Sequence, residues 1–185
     1  ELEPKRLTGM ATPAHAVHST GWGGPGARAG WVRVMGEESG VDCVSMRVKD
    51  GEQSTAGGIV LTAMHTPGHT YDSYSFLLDN MVFTGDTLFI RGTGRTDFQA
   101  GSSKAQYDSL FNKLLKLPDD TLVYPGHDYK GDTVSTIGEE KRFNPRLQVS
   151  GVGEYARIME NLGLDNPKMM DVAVPANQAC GNING

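Results

Sequence analysis

Three short apolar segments, each typical of a buried β-strand, lead into a side chain that can bind a metal ion. A Pro67-Gly68 turn ends the first of these segments and places the next histidine on a loop. The segments and the polar residues that follow them are 59–64 with His69, 81–83 with Asp86, and 122–124 with His127. Strands that each deliver a His or Asp at one end predict a metal site at one edge of a sheet.

A carboxylate at the end of a buried strand, as predicted for Asp86, costs free energy unless a cation neutralises it. A metal ion bound by His69 and Asp86 would meet that requirement. Taken singly, Pro-Gly-His is most often a turn with a solvated histidine, and Gly-Asp is most often a turn or a helix cap. The repetition of the pattern at three strand ends favours a metal site over that simpler interpretation.

The composition is that of one α/β domain over residues 1–185, rich in loops because it contains 24 Gly and 9 Pro. The formal net charge of -5, without a basic cluster, argues against a nucleic-acid partner. No apolar run reaches the roughly 18 residues of a membrane span, and no signal-peptide pattern opens the chain. Cys43 and Cys180 are too few for a disulfide framework, which predicts a reducing compartment, the cytoplasm or the mitochondrial matrix. The oligomeric state stays open, a homodimer included.

Hydrophobic periodicity predicts that strands and helices interleave without a repeat or a linker. Alternation of apolar residues indicates further strands at 44–48 and 74–78. Residues 103–106 match a capping box, and the apolar spacing from Tyr107 to Leu115 predicts a helix that packs on the sheet. This helix should end near Pro118.

Two further helices are predicted in the last third of the chain. Ser135 or Thr136 should open a short helix that ends before Asn144. The last helix is predicted from one apolar face, with a Gly just past its end. The residues of that face are Tyr155, Ile158, Met159 and Leu162.

Several motifs together resemble a known family. The segments HTPGHT (65–70), TGDTL (84–88) and YPGHDY (124–129) resemble the metallo-β-lactamase fold in its glyoxalase II branch. The segments IRGTGRTDFQ (90–99), TVST (133–136), NPRL (144–147) and VPANQACG (174–181) are similar to persulfide dioxygenases, also called sulfur dioxygenases. The resemblance covers about residues 41–181 and implies an αββα sandwich.

Residues 1–40 diverge from the family pattern. The family's first strands are expected to be missing, and TPAHAVHSTG (12–21) lies where the family carries Thr-His-x-His-x-Asp-His. Pro13 stands at the first His of that motif, and Val17 stands at its Asp. His15 and His18 are most simply solvated loop histidines, but His15 is the candidate replacement for the missing ligand.

The resemblance implies one non-haem iron(II) per chain, with His69 and Asp86 as two ligands and His15 as the candidate third. His127 would then be a hydrogen-bonding group beside the metal. A two-zinc thioester hydrolase of the glyoxalase II type is the alternative, with His127 on the second ion, but it needs the Asp replaced by Val17. The other alternative is a non-catalytic fragment or binding module, because Pro13 cannot coordinate a metal.

The resemblance also implies a substrate. Persulfide dioxygenases oxidise glutathione persulfide to sulfite and glutathione with O2, and the two carboxylates of that tripeptide require cationic partners. Tyr129 and Arg146 match family substrate positions, and Arg91 is a further candidate. Arg91 and Arg95 flank a Gly-Thr-Gly turn, and both are predicted to hold this loop by pairing with Asp97.

Overall fold

The computed structural model describes residues 8–10, 32–41, 44–56, 58–98, 100–165 and 175. Within these ranges the strands are β1 Thr8–Met10, β2 Val32–Gly36, β3 Met46–Val48, β4 Gln53–Ala56, β5 Ile59–His65, β6 Tyr74–Leu78, β7 Met81–Gly85, β8 Leu88–Phe89, β9 Gly92–Thr93, β10 Leu122–Pro125 and β11 Ser135–Thr136. The α-helices are α1 Ser103–Asp108, α2 Ile137–Phe143 and α3 Val152–Glu160. Helix α1 continues through a π-helical turn, Ser109–Lys113, and a 3-10 turn, Leu114–Lys116.

The described strands form a six-stranded sheet, a three-stranded parallel sheet and a short hairpin. The six-stranded sheet has the order β11-β10-β7-β6-β5-β4, the three-stranded sheet is β1-β2-β3, and β8 pairs with β9. Strand β6 is antiparallel to both β5 and β7, whereas β10 is parallel to β7. Strands β5, β7 and β10 therefore run in one direction and end at the same edge of the sheet, as the sequence predicted.

Two apolar clusters cover the two faces of the larger sheet. The larger cluster joins Val82 and Val123 of the sheet to Leu110 and Leu114 of the first helix and to Tyr155 of α3. The smaller cluster joins the opposite face to the three-stranded sheet. Its members are Val34, Val48, Ala63, Tyr74 and Phe76. The layers within the described residues are helix, sheet and sheet, in agreement with the predicted α/β sandwich.

The N-terminal caps of α1 and α2 can be compared directly with the caps predicted from the sequence. Thr136 caps α2 as predicted, because its side chain accepts a hydrogen bond from the Glu139 amide at 3.1 Å. The capping box at 103–106 is wrong by one residue, since the side chain that caps α1 belongs to Ser102. Gln106 does not reach back to the cap, because its side chain is fully buried against α3.

One predicted strand begins later than expected, and strand β4 was not predicted. The strand predicted over 44–48 begins at Met46, and the Met46 side chain is 38% exposed instead of facing the core. The polar strand β4 gave no hydrophobic signal and was not predicted, although it pairs with β5 over four residues. None of the helices within the described ranges has the length and hydropathy of a membrane span.

Leu110→Ala tests whether the helix stripe is core. Leu110 is fully buried, so the substitution should lower the free energy of unfolding by about 2–5 kcal/mol through lost burial and a cavity. Leu164→Ala is the matched control, because Leu164 is 49% exposed and should change stability far less. Urea denaturation followed by circular dichroism measures both. Equal losses in the two variants would contradict the assignment of Leu110 to the core.

Candidate active site

Asp86 lies between two histidines at the edge where β5, β7 and β10 end. The Asp86 Oδ2 atom is 3.5 Å from His69 Nε2, and Oδ1 is 2.6 Å from His127 Nδ1. The carboxylate follows β7 directly, and the residue is only 6% exposed. The structure therefore brings together the three side chains that the strand ends predicted.

The ring of His69 is oriented through its other nitrogen. His69 Nδ1 donates a hydrogen bond to the backbone carbonyl of Arg95 at 2.7 Å. A proton held on Nδ1 leaves Nε2, the atom facing Asp86, with a lone pair for a cation. A carbonyl that fixes the tautomer in this way is a common feature of histidines that bind metals.

His127 is bound to Asp86 and stacked on aromatic rings. The hydrogen bond to the Asp86 carboxylate raises the pKa of His127, and this effect outweighs the opposing effect of burial. The Tyr129 ring stacks on the imidazole with centroids 6.0 Å apart, and the Phe89 ring meets it edge-on at 6.4 Å. His127 is thus held both by charge and by packing.

Two glycines permit the close approach of the site loops. A Cβ atom at Gly94 would lie 1.9 Å from the backbone oxygen of Asp86 and 3.2 Å from the ring of His69. A Cβ atom at Gly126 would lie 2.9 Å from Asp86 Oδ1. The Pro-Gly-His segment at 125–127 and the Gly-Thr-Gly segment at 92–94 therefore share a steric cause, since a larger residue at Gly126 or Gly94 would displace Asp86.

The three side chains open on a cavity of about 470 Å³. Phe89 and Tyr129 contribute aromatic surface to its wall, and four cationic side chains from the described residues also line it. The four are Arg91, Arg95, Lys130 and Arg146. A volume of this size fits a small organic molecule.

Two of these cations are neutralised by the protein itself. Arg95 donates to both carboxylate oxygens of Asp97 at 2.7 Å, as predicted, and this contact raises the pKa of Arg95. The predicted pairing of Arg91 with Asp97 is wrong, because the Arg91 guanidinium pairs with Glu140 and also contacts Glu139 at 3.2 Å. Glu140 is fully buried and also accepts from the Arg91 amide at 2.9 Å, so this pair belongs to the packing of α2.

Arg146 has a different environment. Its Nη1 donates to the backbone carbonyl of Thr93 and lies 3.3 Å from the Thr93 hydroxyl, and both acceptors are uncharged. Among the described residues no carboxylate forms an ion pair with Arg146, and burial lowers the pKa of its guanidinium. The backbone amide of Arg146 is fixed by Asn144 Oδ1 at 3.1 Å. Arg146 is thus a held cation whose charge the described residues leave uncompensated.

The donor set fits a metal ion in chemistry but is incomplete in the described residues. One imidazole nitrogen and one carboxylate oxygen face each other at His69 and Asp86. Within the described ranges no group of three or more His, Cys, Asp or Glu could hold a metal ion. His15, the candidate third ligand, lies outside the described residues, as do Pro13, Val17 and His18.

Sequence reasoning missed the polar residues that support this site from behind. Glu140, Thr93 and Gln106 are all buried, yet none of them lies in a metal-binding pattern. Glu140 gave no distinct signal, because Glu139, Lys141 and Arg142 beside it in α2 are also charged. Thr93 and Gln106 gave none, because their partners are distant in sequence.

Gly126→Ala should reduce metal binding. The added methyl would stand 2.9 Å from Asp86 Oδ1 and about as close to Gly85, so the carboxylate must move. Metal bound per chain, measured by mass spectrometry of purified protein, should fall at least several-fold while the chain stays folded. Gly153→Ala is the control, because nothing lies within 4 Å of its added methyl. Unchanged metal content in Gly126→Ala would show that the Asp86 position is not critical.

Comparison with known proteins identifies the family of this arrangement. The family model described as the metallo-beta-lactamase superfamily matches residues 11–127. The mitochondrial persulfide dioxygenase ETHE1 of Homo sapiens is 43% identical over 98% of this chain and 72% of that protein. The Bos taurus protein of the same name is 40% identical over the same shares. These matches reach beyond residues 41–181 and include the segment that holds His15.

Solved structures agree with these relatives. The crystal structure of ETHE1 from Myxococcus xanthus superposes with a TM-score of 0.91 at 48% identity, covering 97% of this chain and 80% of that one. A metallo-beta-lactamase from Staphylococcus aureus superposes with a TM-score of 0.85 at 24% identity, covering 93% and 57%, which supports the fold alone. The chain therefore belongs to the metallo-beta-lactamase superfamily and, within it, to the persulfide dioxygenase family.

Proposed function

We propose that this chain is an iron(II)-dependent dioxygenase that oxidises glutathione persulfide. One persulfide, one O2 and one water give one thiol, one sulfite and two protons, so the terminal sulfur is oxidised and O2 is reduced. The observation that carries the proposal is the His69–Asp86 pair, which opens on a cavity whose wall holds Arg146. Relatives named persulfide dioxygenase support it at 40–43% identity.

The donor set favours one iron ion over a pair of zinc ions. Two imidazoles and one carboxylate are the usual ligands of mononuclear non-haem iron(II), and they leave positions open for O2 and a substrate sulfur. His69 and Asp86 supply two ligands in this proposal, and His15 is the candidate for the third. When bound, iron(II) would bring O2 and the persulfide sulfur together. His127, through its 2.6 Å contact, would orient the Asp86 carboxylate.

One observation keeps a thioester hydrolase as the second candidate. The contact of His127 with Asp86 would also suit a carboxylate that bridges two ions. That scheme requires another acidic ligand, and Val17 stands at the family position for it. We therefore rank the two-zinc hydrolase second and a non-catalytic binding module third.

The substrate proposal rests on charge. Glutathione persulfide carries two carboxylates, and two cations of the cavity wall, Arg146 and Lys130, make no ion pair among the described residues. We assign Arg146 to one substrate carboxylate. Tyr129, whose ring stacks on His127, would contact the substrate beside the metal. Arg91 was the further candidate, and its pairing with Glu140 makes it the weakest of the three.

The cellular setting is proposed from the names of relatives and from the small number of cysteines. The relatives from Homo sapiens and Bos taurus are named as mitochondrial proteins. We propose a reducing compartment, the cytoplasm or the mitochondrial matrix, for this chain. A homodimer is the proposed assembly, and sedimentation of the purified protein decides it.

Iron content is the first test of the proposal. Protein purified without oxygen and reconstituted with iron(II) should hold about one iron per chain. His69→Ala should lose most of that iron, because it removes one of the proposed ligands. His65→Ala is the matched control, since His65 Nε2 contacts the Tyr71 carbonyl at 2.8 Å and His65 does not line the cavity. Two zinc ions per chain would overturn the iron assignment and favour the hydrolase.

Three substitutions test which residue supplies the third ligand. If His15 binds the metal, His15→Ala should lose iron as His69→Ala does, while His18→Ala should not. If the family position is required instead, the parent should bind iron weakly and Pro13→His should raise the occupancy. Iron per chain, measured side by side, separates the two arrangements. Full iron in the parent and in His15→Ala would exclude both.

Arg146→Ala should raise KM for glutathione persulfide about ten- to a hundredfold and lower kcat less. A charge-assisted hydrogen bond is worth roughly 1.5–3 kcal/mol, and a clamp remote from sulfur contributes to ground state and transition state alike. Arg142→Ala is the matched control, because the Arg142 side chain is 68% exposed and contacts Asp119 instead of the cavity. Oxygen consumption measures both constants. An unchanged KM in Arg146→Ala would remove this residue from the substrate site.

A further inference from the structure

We propose that Tyr155 of α3 is a positioning residue that sets affinity for the carboxylate-bearing substrate through Thr93 and Arg146. The inference rests on the proposed function, because it takes Arg146 as the group that binds a substrate carboxylate. Tyr155 does not line the cavity. It lies behind the wall and acts on Arg146 by holding Thr93.

Thr93 holds the Arg146 guanidinium on one side. Arg146 Nη1 donates to the Thr93 carbonyl and lies 3.3 Å from Thr93 Oγ1, so one residue supplies both acceptors. The other guanidinium N–H groups meet no hydrogen-bond acceptor among the described residues. A guanidinium is planar and rigid, so fixing Nη1 in this way also fixes the direction of the remaining donors. The rotamer of Thr93 therefore helps to aim Arg146.

Tyr155 reaches Thr93 from the core. Its hydroxyl lies 3.1 Å from Thr93 Oγ1 and donates to Gln106 Oε1 at 2.7 Å. Tyr155 and Gln106 are fully buried, and Thr93 is 1% exposed. Burial raises the pKa of the Tyr155 hydroxyl, so it stays a neutral donor at physiological pH. A polar chain thus runs from α1 through α3 to the cavity wall.

Burying this chain of polar side chains costs folding free energy, which a purely structural role would not require. Gln106 Nε2 is buried and has no hydrogen-bond partner among the described residues. An unsatisfied buried donor destabilises the fold, and an apolar side chain of similar size would avoid that penalty. Gln106 also packs its backbone against Gly68, where a Cβ would stand 2.4 Å from the Gln106 Cα. The polar chain therefore connects the loop that carries His69 with the residue that aims Arg146.

The loss of the Tyr155 hydroxyl should act on binding and not on chemistry. Tyr155→Phe keeps the ring in the core, removes the hydroxyl contacts to Thr93 and to Gln106, and frees the Thr93 side chain to rotate. KM for glutathione persulfide should rise about three- to tenfold, the size of one net hydrogen bond. Because Arg146 contacts only the carboxylate, KM for a persulfide without carboxylates should not change. This split separates positioning from a general loss of structure.

The experiment compares five proteins on two substrates. The proteins are the parent, Tyr155→Phe, Thr93→Val, Thr93→Ser and Tyr107→Phe. Thr93→Val removes the hydroxyl with little change in shape, and Thr93→Ser restores it. Tyr107→Phe is the matched control, since its ring lies 5.8 Å from that of Tyr155 and its hydroxyl makes no hydrogen bond among the described residues. The substrates are glutathione persulfide and 2-hydroxyethyl persulfide.

The expected result is a higher KM for glutathione persulfide in Tyr155→Phe and Thr93→Val, with near-parental values in Thr93→Ser and Tyr107→Phe. Combining Tyr155→Phe with Arg146→Ala should add no further effect, because both act through one group. An unchanged KM in Tyr155→Phe and Thr93→Val, or an equal rise for both substrates, overturns the positioning role. If Tyr155→Phe does not fold, Thr93→Val and Thr93→Ser decide alone.

Glutathione binding separates failure of this inference from failure of the proposed function. A folded, iron-loaded parent that oxidises neither persulfide refutes the function. Calorimetric titration with glutathione then still tests the positioning role, because weaker binding to Tyr155→Phe than to the parent supports it. Equal affinity for the two proteins overturns it, whatever the parent's activity.

Discussion

A buried carboxylate at the end of a central strand is the constraint on which this site depends. Asp86 leaves β7 with only 6% of its surface exposed, and an isolated charge there would cost several kcal/mol. The loop after β10 offsets part of that cost, because His127 Nδ1 lies 2.6 Å from Asp86 Oδ1. The loop after β5 places His69 Nε2 3.5 Å from Asp86 Oδ2, where its lone pair and the carboxylate can share a cation. Those loops can approach only because Gly94 and Gly126 have no side chain. The buried charge of Asp86 thus requires the two histidines, and close packing around Asp86 requires the two glycines.

The direction of the strands makes this convergence possible. Strand β6 reverses the chain between β5 and β7, and the crossover through the first helix returns it parallel at β10. The loops that follow these three strands all begin at one edge of the sheet. The helices pack on one face of the sheet and not on that edge. The loops therefore meet where neither layer covers them. A cavity of about 470 Å³ at that edge is the consequence.

The sequence predicted the parts of the fold that rest on local chemistry. Apolar runs ending in Gly gave β5, β7 and β10, and Thr136 gave the start of α2. The errors have physical reasons. Ser102 and Ser103 are chemically equivalent as caps, and Gln106 makes its hydrogen bond to Tyr155, 49 residues away. Distant pairing also explains the error at Arg91, because Glu140 and Asp97 both carry a carboxylate and only the fold selects between them.

The cationic side chains that the described residues place in the cavity wall differ in whether the protein neutralises their charge. Arg91 and Arg95 are each matched by a carboxylate of the protein, so they hold α2 and the Asp97 loop without adding net charge to the cavity. Arg146 is held instead by the carbonyl and the hydroxyl of Thr93, which orient a guanidinium without neutralising it. An ion pair at that position would consume the charge that an anionic substrate needs. Uncharged acceptors are therefore expected where a cation must be held in one direction and still keep its charge for a substrate. This distinguishes Arg146 from Arg91 and Arg95, which carboxylates of the protein neutralise.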